Sequence, residues 1–405
     1  MLVLGGAGDM GRMAVTVLLE SPSVNSTTVA DINLNHAKVF AEMVNSDKLS
    51  PVQIDINESD KLTELIKSHD IVINTVGPFY KFAVPIMEAV IKAKKPYLDI
   101  NDDWKPTLDV LKMDSKAKDA GITALIGIGA SPGISNLLAV LACSKLDKVE
   151  DLVTAWGESI SMKEGKKPKY YVDRRDFRKR LGESQRRSNA AMDHWIYEAL
   201  ENIPTFKDGQ LIEINSLTET ESFDFPGYKP MYACHIGHPE PVTLSRTIKA
   251  NNISNVMYVG ETLTGYLRGY RDRILKKELT IEEASLQLQE DMRKAIKEMK
   301  MGRSPLKEYL GGPPTLCCIA LGVKDGKKKK VAVALGRNPY DEMAGVTGVP
   351  LAIATLMLIE GRITKKGILT PEEALDPLEF FDRIAPYCGK NLTGKDILIQ
   401  KEIDL

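Results

Sequence analysis

The chain is poor in cysteine, and the few it has form no pattern. Cys143, Cys234, Cys317, Cys318 and Cys388 are odd in number, scattered, and without any Cys-x-x-Cys spacing. That argues against a disulfide framework or a thiolate zinc site and predicts reduced thiols in a cytoplasmic protein. Excess charge of either sign is also missing, with 54 basic residues against 55 acidic. No overall field would therefore recruit nucleic acid or an anionic membrane. The longest apolar stretch, 349–359, is too short to span a bilayer. No basic n-region followed by an apolar h-region opens the chain, so no signal peptide is expected. Internal repeats and low-complexity tracts are absent. His238 lacks a paired Cys, Asp or second His at ligand spacing, so no metal site is expected. At 405 residues the chain is long for one core and predicts two domains.

The most informative segment is the first eleven residues. Met-Leu-Val-Leu, a short apolar β-run, turns at once into Gly6-x-Gly8-x-x-Gly11, with Asp9 and Met10 inside the turn. A helical pattern follows through Met13, Val15, Val17, Leu18 and Leu19. Gly6 permits the strand-to-helix turn, Gly8 removes a Cβ that would block a pyrophosphate, and Gly11 lets the helix lie close on the strand. Asp31 follows a second β-run at about the twenty-residue distance from which a carboxylate reaches a ribose 2′-hydroxyl. That carboxylate would repel a 2′-phosphate, so NAD is expected ahead of NADP.

Strand and helix signals then alternate. Short strands are predicted at 52–54, 70–74, 97–100 and 122–126, separated by helical stretches at 34–44, 59–66, 82–93 and 106–120. Such alternation predicts a Rossmann-type, doubly wound parallel sheet with strand order 3-2-1-4-5-6. From about 149 the alternation stops. Longer β-like runs at 149–156, 211–217, 241–248 and 255–259, interrupted by a polar helix at 281–299, predict a second α+β domain with a mostly antiparallel sheet. The run Lys327-Lys328-Lys329-Lys330 separates two β-like runs and reads as a solvated hairpin tip. The basic, Tyr-containing stretch 163–187 reads as a surface segment or active-site lid. Apolar helices at 340–360 and 371–384 close the chain.

Several motifs together resemble the saccharopine dehydrogenase family. They are Gly6–Gly11, Asn74-Thr75-Val76-Gly77-Pro78-Phe79, Tyr97-Leu98-Asp99, Gly129-Ala130-Ser131-Pro132-Gly133-Ile134-Ser135-Asn136, Gly237-His238-Pro239-Glu240-Pro241-Val242-Thr243, Met343-Ala344-Gly345-Val346-Thr347-Gly348-Val349-Pro350 and Pro371-Glu372-Glu373-Ala374-Leu375. They run in the family's order over nearly the whole chain. The resemblance implies NAD(P)-dependent oxidoreduction at a C–N bond of an amino acid or polyamine. It also implies a first domain, 1–132, completed by 340–405, and a substrate-binding and dimerisation domain at 133–339, usually in a homodimer. Many members carry an acid where Ser131 stands, which points from saccharopine toward the lysine 6-dehydrogenase-like branch. Lysine or a lysine-like diamine ranks first as substrate, saccharopine second and a carboxylated polyamine third. The alternatives are a carboxynorspermidine dehydrogenase or homospermidine synthase-like polyamine enzyme, or a non-catalytic NAD(H)-binding sensor.

Ligands of such sheets sit at the carboxyl ends of the strands. Gly77-Pro78 would hold the backbone against the nicotinamide ribose, with Thr75 able to hydrogen-bond it, and Tyr80 just beyond would line the pocket. In the acidic loop Asp99-Ile100-Asn101-Asp102-Asp103, Asp102 is the expected group to exchange a substrate nitrogen proton. Asp103 reads equally as the N-cap of the helix that follows. His238, between prolines, is the second expected acid/base residue, with Glu240 beside it as substrate contact. A substrate carboxylate needs a guanidinium clamp. Arg174, Arg246, Arg268 and Arg271 are the candidates, with Arg246 preferred because it directly follows the His238 loop.

Overall fold

The computed structural model describes residues 1–157, 165–182, 190–200, 202–218, 222–300 and 311–405. The chain divides into two units, each assembled from separate stretches. Met1–Leu137, Lys163–Ser184 and Arg337–Ile397 form the first, and Leu138–Met162, Gln185–Gly336 and Leu398–Leu405 the second. Two stretches differ from the boundaries expected above. Lys163–Ser184 goes with the first unit, and the last residues go with the second because they form a strand of its sheet.

The first unit is a Rossmann-type parallel sheet. Its strands are β1 (Leu2–Leu4), β2 (Thr27–Asp31), β3 (Leu49–Gln53), β4 (Val72–Asn74), β5 (Tyr97–Asp99) and β6 (Thr123–Leu125). The expected order 3-2-1-4-5-6 is present, and the C-terminal stretch adds a seventh strand, Gly367–Leu369, parallel to β6. Helices cover both faces, so β1, β4, β5 and β6 are buried along their length, polar Asn74, Asp99 and Thr123 included. Asn33 starts the second helix, Leu34–Val44, by accepting from the N–H groups of Asn35 and His36. The apolar helix Glu342–Ile359 packs on the first helix, Asp9–Glu20, where a Cβ at Gly348 would lie 2.7 Å from the Met13 Cβ. The single helix expected at 371–384 is two, Pro371–Ala374 and Pro377–Cys388. Pro377 forces the break, since a residue preceding proline is driven out of the α region.

The second unit holds β7 (Lys148–Gly157), β8 (Asn202–Lys207), β9 (Gln210–Asn215), β10 (Cys234–His235), β11 (Asn252–Tyr258), β12 (Leu316–Lys324), β13 (Lys327–Leu335) and the strand Leu398–Asp404. Its sheet is mostly antiparallel, with one parallel pair, β7 and β11. Phe223, Phe225, Met231, Tyr258 and Ile319 centre its core. Two expectations fail here. The β-like run 241–248 begins as the helix Glu240–Leu244, because Pro239 and Pro241 fix helical φ and donate no ladder N–H. The lysines 327–330 lie within β13, and the turn is Asp325-Gly326. Lys328 pairs with Glu150 on β7, across β12, and Lys329 with Glu402 on the adjacent strand Leu398–Asp404. No described helix is long and apolar enough to cross a membrane.

Candidate active site

The glycine turn at the end of β1 is shaped for a ligand. A Cβ on Gly11 would sit 2.7 Å from both the Gly5 carbonyl oxygen and the Gly6 Cα, so the fold itself requires glycine there. Gly8 is different. A Cβ there would press on the Gly5 oxygen at 3.2 Å and meet nothing else within 4 Å. Packing demands a glycine less strictly there than at Gly11, whereas a pyrophosphate at the helix start needs one. Met10 opens the same helix beside Asp9. Asp31 ends β2, and its Oδ1 accepts from Asn33 N at 3.0 Å. Burial raises its pKa, partly offset by the Asn33 and Ala7 N–H groups. The acid therefore bridges the glycine turn and the loop after β2, where an adenosine ribose lies in this fold. These residues fit a nicotinamide dinucleotide.

The loops after β4 and β5 hold each other. Thr75 donates from its hydroxyl to the Leu4 carbonyl at 3.0 Å and so spends that group on β1. The Gly77–Pro78 and Ser131–Pro132 peptide bonds are cis. Tyr80 lies in the first turn of the helix Phe79–Ala93, and its N–H donates to Asp103 Oδ2 at 2.6 Å. Asp103 does precede the helix Trp104–Leu111, but its side chain serves the neighbouring helix. Asp99 is buried and accepts from Asn101 N, Gly127 N and the Tyr97 hydroxyl. Burial pushes its carboxyl up to about 6 despite those donors. Asp102 is half-buried in the same loop.

In the second unit His238 and Glu240 are buried, at 5% and 0% exposure, and do not stand in a solvated turn. Nothing in the local sequence singles out their partners. His194 and Glu198, one turn apart on the helix Ala190–Leu200, face them. His194 Nε2 is 3.1 Å and His238 Nε2 3.4 Å from the Glu198 oxygens, and His238 Nδ1 is 3.7 Å from Glu240. Trp156 packs at 5.1 Å on the His238 ring and at 5.7 Å on Trp195. Burial would raise Glu198, but the two imidazoles outweigh it and hold the carboxyl below its usual range. Burial would lower His238, but Glu198 and Glu240 outweigh that and raise it. The donor atoms of His194, Glu198 and His238 all lie within 4.8 Å, a spacing that a divalent cation could also use. The carboxylate and imidazolium neutralise each other without one. Arg246 follows the helix Glu240–Leu244 and is exposed. Arg268 donates to the Leu217 carbonyl and Tyr232, and Arg271 bonds to Asp272 and the Ser216 carbonyl. Arg174 is paired with Asp9 in the first unit.

Residues 1–125 match the family model described as the saccharopine dehydrogenase NADP binding domain, and 129–389 that of the saccharopine dehydrogenase C-terminal domain. The chain belongs to the saccharopine dehydrogenase family. It is 22% identical over 406 residues to carboxyaminopropylagmatine dehydrogenase of Synechocystis, covering 95% of this chain and 94% of that one. It is 25% identical over 416 residues to carboxynorspermidine synthase of Vibrio cholerae, covering 93% and 92%. A glutamate-forming saccharopine dehydrogenase of Schizosaccharomyces pombe is 22% identical, covering 92% and 94%. Among solved structures, the apo L-Glu-forming saccharopine dehydrogenase of Saccharomyces cerevisiae aligns with a TM-score of 0.61 at 18% identity, over 100% of this chain and 99% of that one. The fold is thus shared, and the family is one of oxidoreductases that bind a nicotinamide cofactor.

Proposed function

We propose that this chain is a nicotinamide-dependent oxidoreductase acting at a C–N bond of a carboxylated polyamine or a related amino acid. Gly8 carries the cofactor part of the reading, because a ligand explains its glycine more fully than packing does. Two relatives matched over nearly their whole length, a carboxyaminopropylagmatine dehydrogenase and a carboxynorspermidine synthase, favour the polyamine class over lysine, which the sequence ranked first. Bound nicotinamide would supply or take up the hydride. The chain orients the cofactor through the glycine turn and Asp31. Asp102 exchanges the nitrogen proton, and His238 holds a proton through Glu198. The protein acts on this substrate as a homodimer, which light scattering of the purified chain tests.

For the dinucleotide itself, Asp31 favours NAD, since a carboxylate at the ribose opposes a 2′-phosphate. The second reading, NADP, is favoured by the match to an NADP binding domain and by the Arg12 guanidinium, whose charge acts on Asp31. Absorbance change at the nicotinamide band decides function and cofactor together. It is followed with each dinucleotide, in both directions, across carboxynorspermidine, carboxyaminopropylagmatine, saccharopine, lysine, ornithine and unmodified polyamines. Turnover of a carboxylated polyamine supports the proposal. Turnover of lysine alone overturns its substrate, and tight binding of dinucleotide with no turnover leaves a cofactor sensor.

A further inference from the structure

Lys163–Ser184 sits in the sequence amid residues of the second unit, yet it belongs to the first. Asp173 caps its helix, Arg174–Leu181, by accepting from the N–H groups of Arg175 and Asp176. Phe177 is buried and packs edge-on against Phe40 and His36, and the Arg12 guanidinium lies 4.1 Å from its ring centre. Upstream, the Tyr171 hydroxyl donates to Asp341 at 3.0 Å, and the Lys169 N–H donates to Glu20. Glu20 ends the first helix and Arg12 lies in its opening turns, so the segment runs along that helix as a strap.

A carboxylate stands where an anion is to bind. Asp9 is the first residue of the helix after the glycine turn, the end whose free N–H groups and dipole attract phosphate. Left alone, Asp9 would oppose a pyrophosphate. Two guanidiniums remove the conflict. Arg12 Nη2 lies 2.6 Å from Asp9 Oδ1, and Arg174 Nε lies 3.0 Å from Oδ2. Arg12 also donates to the Ala7 carbonyl inside the turn, at 2.7 Å. It is 6% exposed, and its buried Nε has no hydrogen-bond partner. Arg178, one turn beyond Arg174 on the same helix face, places a further positive charge near Arg12.

We infer that the strap completes the cofactor site, with Arg174 as a positioning residue that cancels the charge of Asp9 and so lets the glycine turn accept a dinucleotide pyrophosphate. This rests on the dinucleotide reading above and adds a requirement from a stretch of chain far from the glycine turn in sequence. Pyrophosphate is common to NAD and NADP, so the requirement is the same for both.

The test is fluorescence titration of the full chain with NADH and with NADPH, for the parent, Arg174→Ala, Asp9→Asn, the double variant, Arg174→Lys and Arg180→Ala. Arg174→Ala is expected to weaken both dinucleotides about tenfold, with their affinity ratio unchanged. Removing the Asp9 charge should restore binding, bringing the double variant within about twofold of Asp9→Asn alone. Arg174→Lys should keep most of the affinity. Arg180, whose partner Glu42 is remote from the turn, should matter little on substitution. Unchanged binding in Arg174→Ala overturns the inference. So does a double variant no better than Arg174→Ala, because the strap would then act by packing alone. A parent that binds neither dinucleotide removes the cofactor reading, and this inference with it.

Discussion

Replacing Glu372 with glutamine is expected to stabilise the protein at about pH 8 and leave it nearly unchanged at about pH 4. Glu372 follows the seventh strand of the first sheet, at the carboxyl edge. Its Oε2 accepts from Asn136 Nδ2 at 2.8 Å, while Oε1 is buried without a hydrogen-bond partner. Burial raises the carboxyl from 4.5 to about 7, against the hydrogen bonds from its own backbone, Thr370 and Asn136. The native state thus holds this proton more tightly than the unfolded chain does. The stability it contributes is complete below 4.5 and is lost as pH rises through about 7. The whole shift corresponds to about 3 kcal/mol. The residue is only partly buried overall, which reduces the expectation to about 2 kcal/mol. Glutamine keeps an oxygen for Asn136 and stays neutral throughout. Urea unfolding, followed by circular dichroism across this pH range, should show the variant's advantage opening as pH rises. A gap that stays constant with pH, or a variant less stable at the alkaline end, would refute the reasoning.

Three further substitutions test other parts of the structure. Gly11→Ala brings a Cβ to 2.7 Å from two backbone atoms of the turn, so it should cost about 1–3 kcal/mol and weaken NADH binding, both read by thermal melts with and without NADH. Tyr97→Phe deletes a buried hydroxyl that donates to Asp99 at 2.8 Å and accepts from Asn74 at 3.0 Å, and a loss of about 1–3 kcal/mol on denaturation is expected. Glu198→Gln removes the carboxylate that raises His238, so burial should take over and drop the imidazole pKa below 6.5, as followed by NMR. The same change should destabilise the second unit by about 3–5 kcal/mol, and an unaltered His238 titration would disprove the pairing.

The Rossmann-type sheet was legible because short, mostly apolar strands alternate with helical stretches, and because Gly6, Gly8 and Gly11 mark the turn after β1. The His238 neighbourhood was legible only in part. Its prolines marked a rigid turn, but they started a helix, not a strand, and nothing local says that His194 and Glu198 face it. The pair sits at helical spacing, yet its partner lies some forty residues on, a distance that only tertiary packing closes. Arg174 was named as a candidate clamp for substrate, but its place beside Asp9 escaped for a similar reason. A basic, tyrosine-bearing stretch has the composition of a solvated surface, and Phe177, the residue that anchors it to the first unit, is a single aromatic in a charged helix. The lysines of β13 misled because a charged run suggests a tip, whereas their acidic partners lie on other strands, distant in sequence.

The strand Gly367–Leu369 beside β6, and Leu398–Asp404 beside β13, have a consequence for how the molecule comes into being. During synthesis the first six strands of one sheet emerge within residues 1–125, but the strand that closes that sheet, Gly367–Leu369, emerges only after all of β7 to β13. The sheet of the other unit waits for Leu398–Asp404. Each half must therefore persist with an open flank until its late strand is made, and such flanks are sites where chains pair wrongly. A chain cut before Leu398 would keep every group of the glycine turn. It would also present β13, with Val331, Val333 and Leu335, as a bare edge to whatever strand came next.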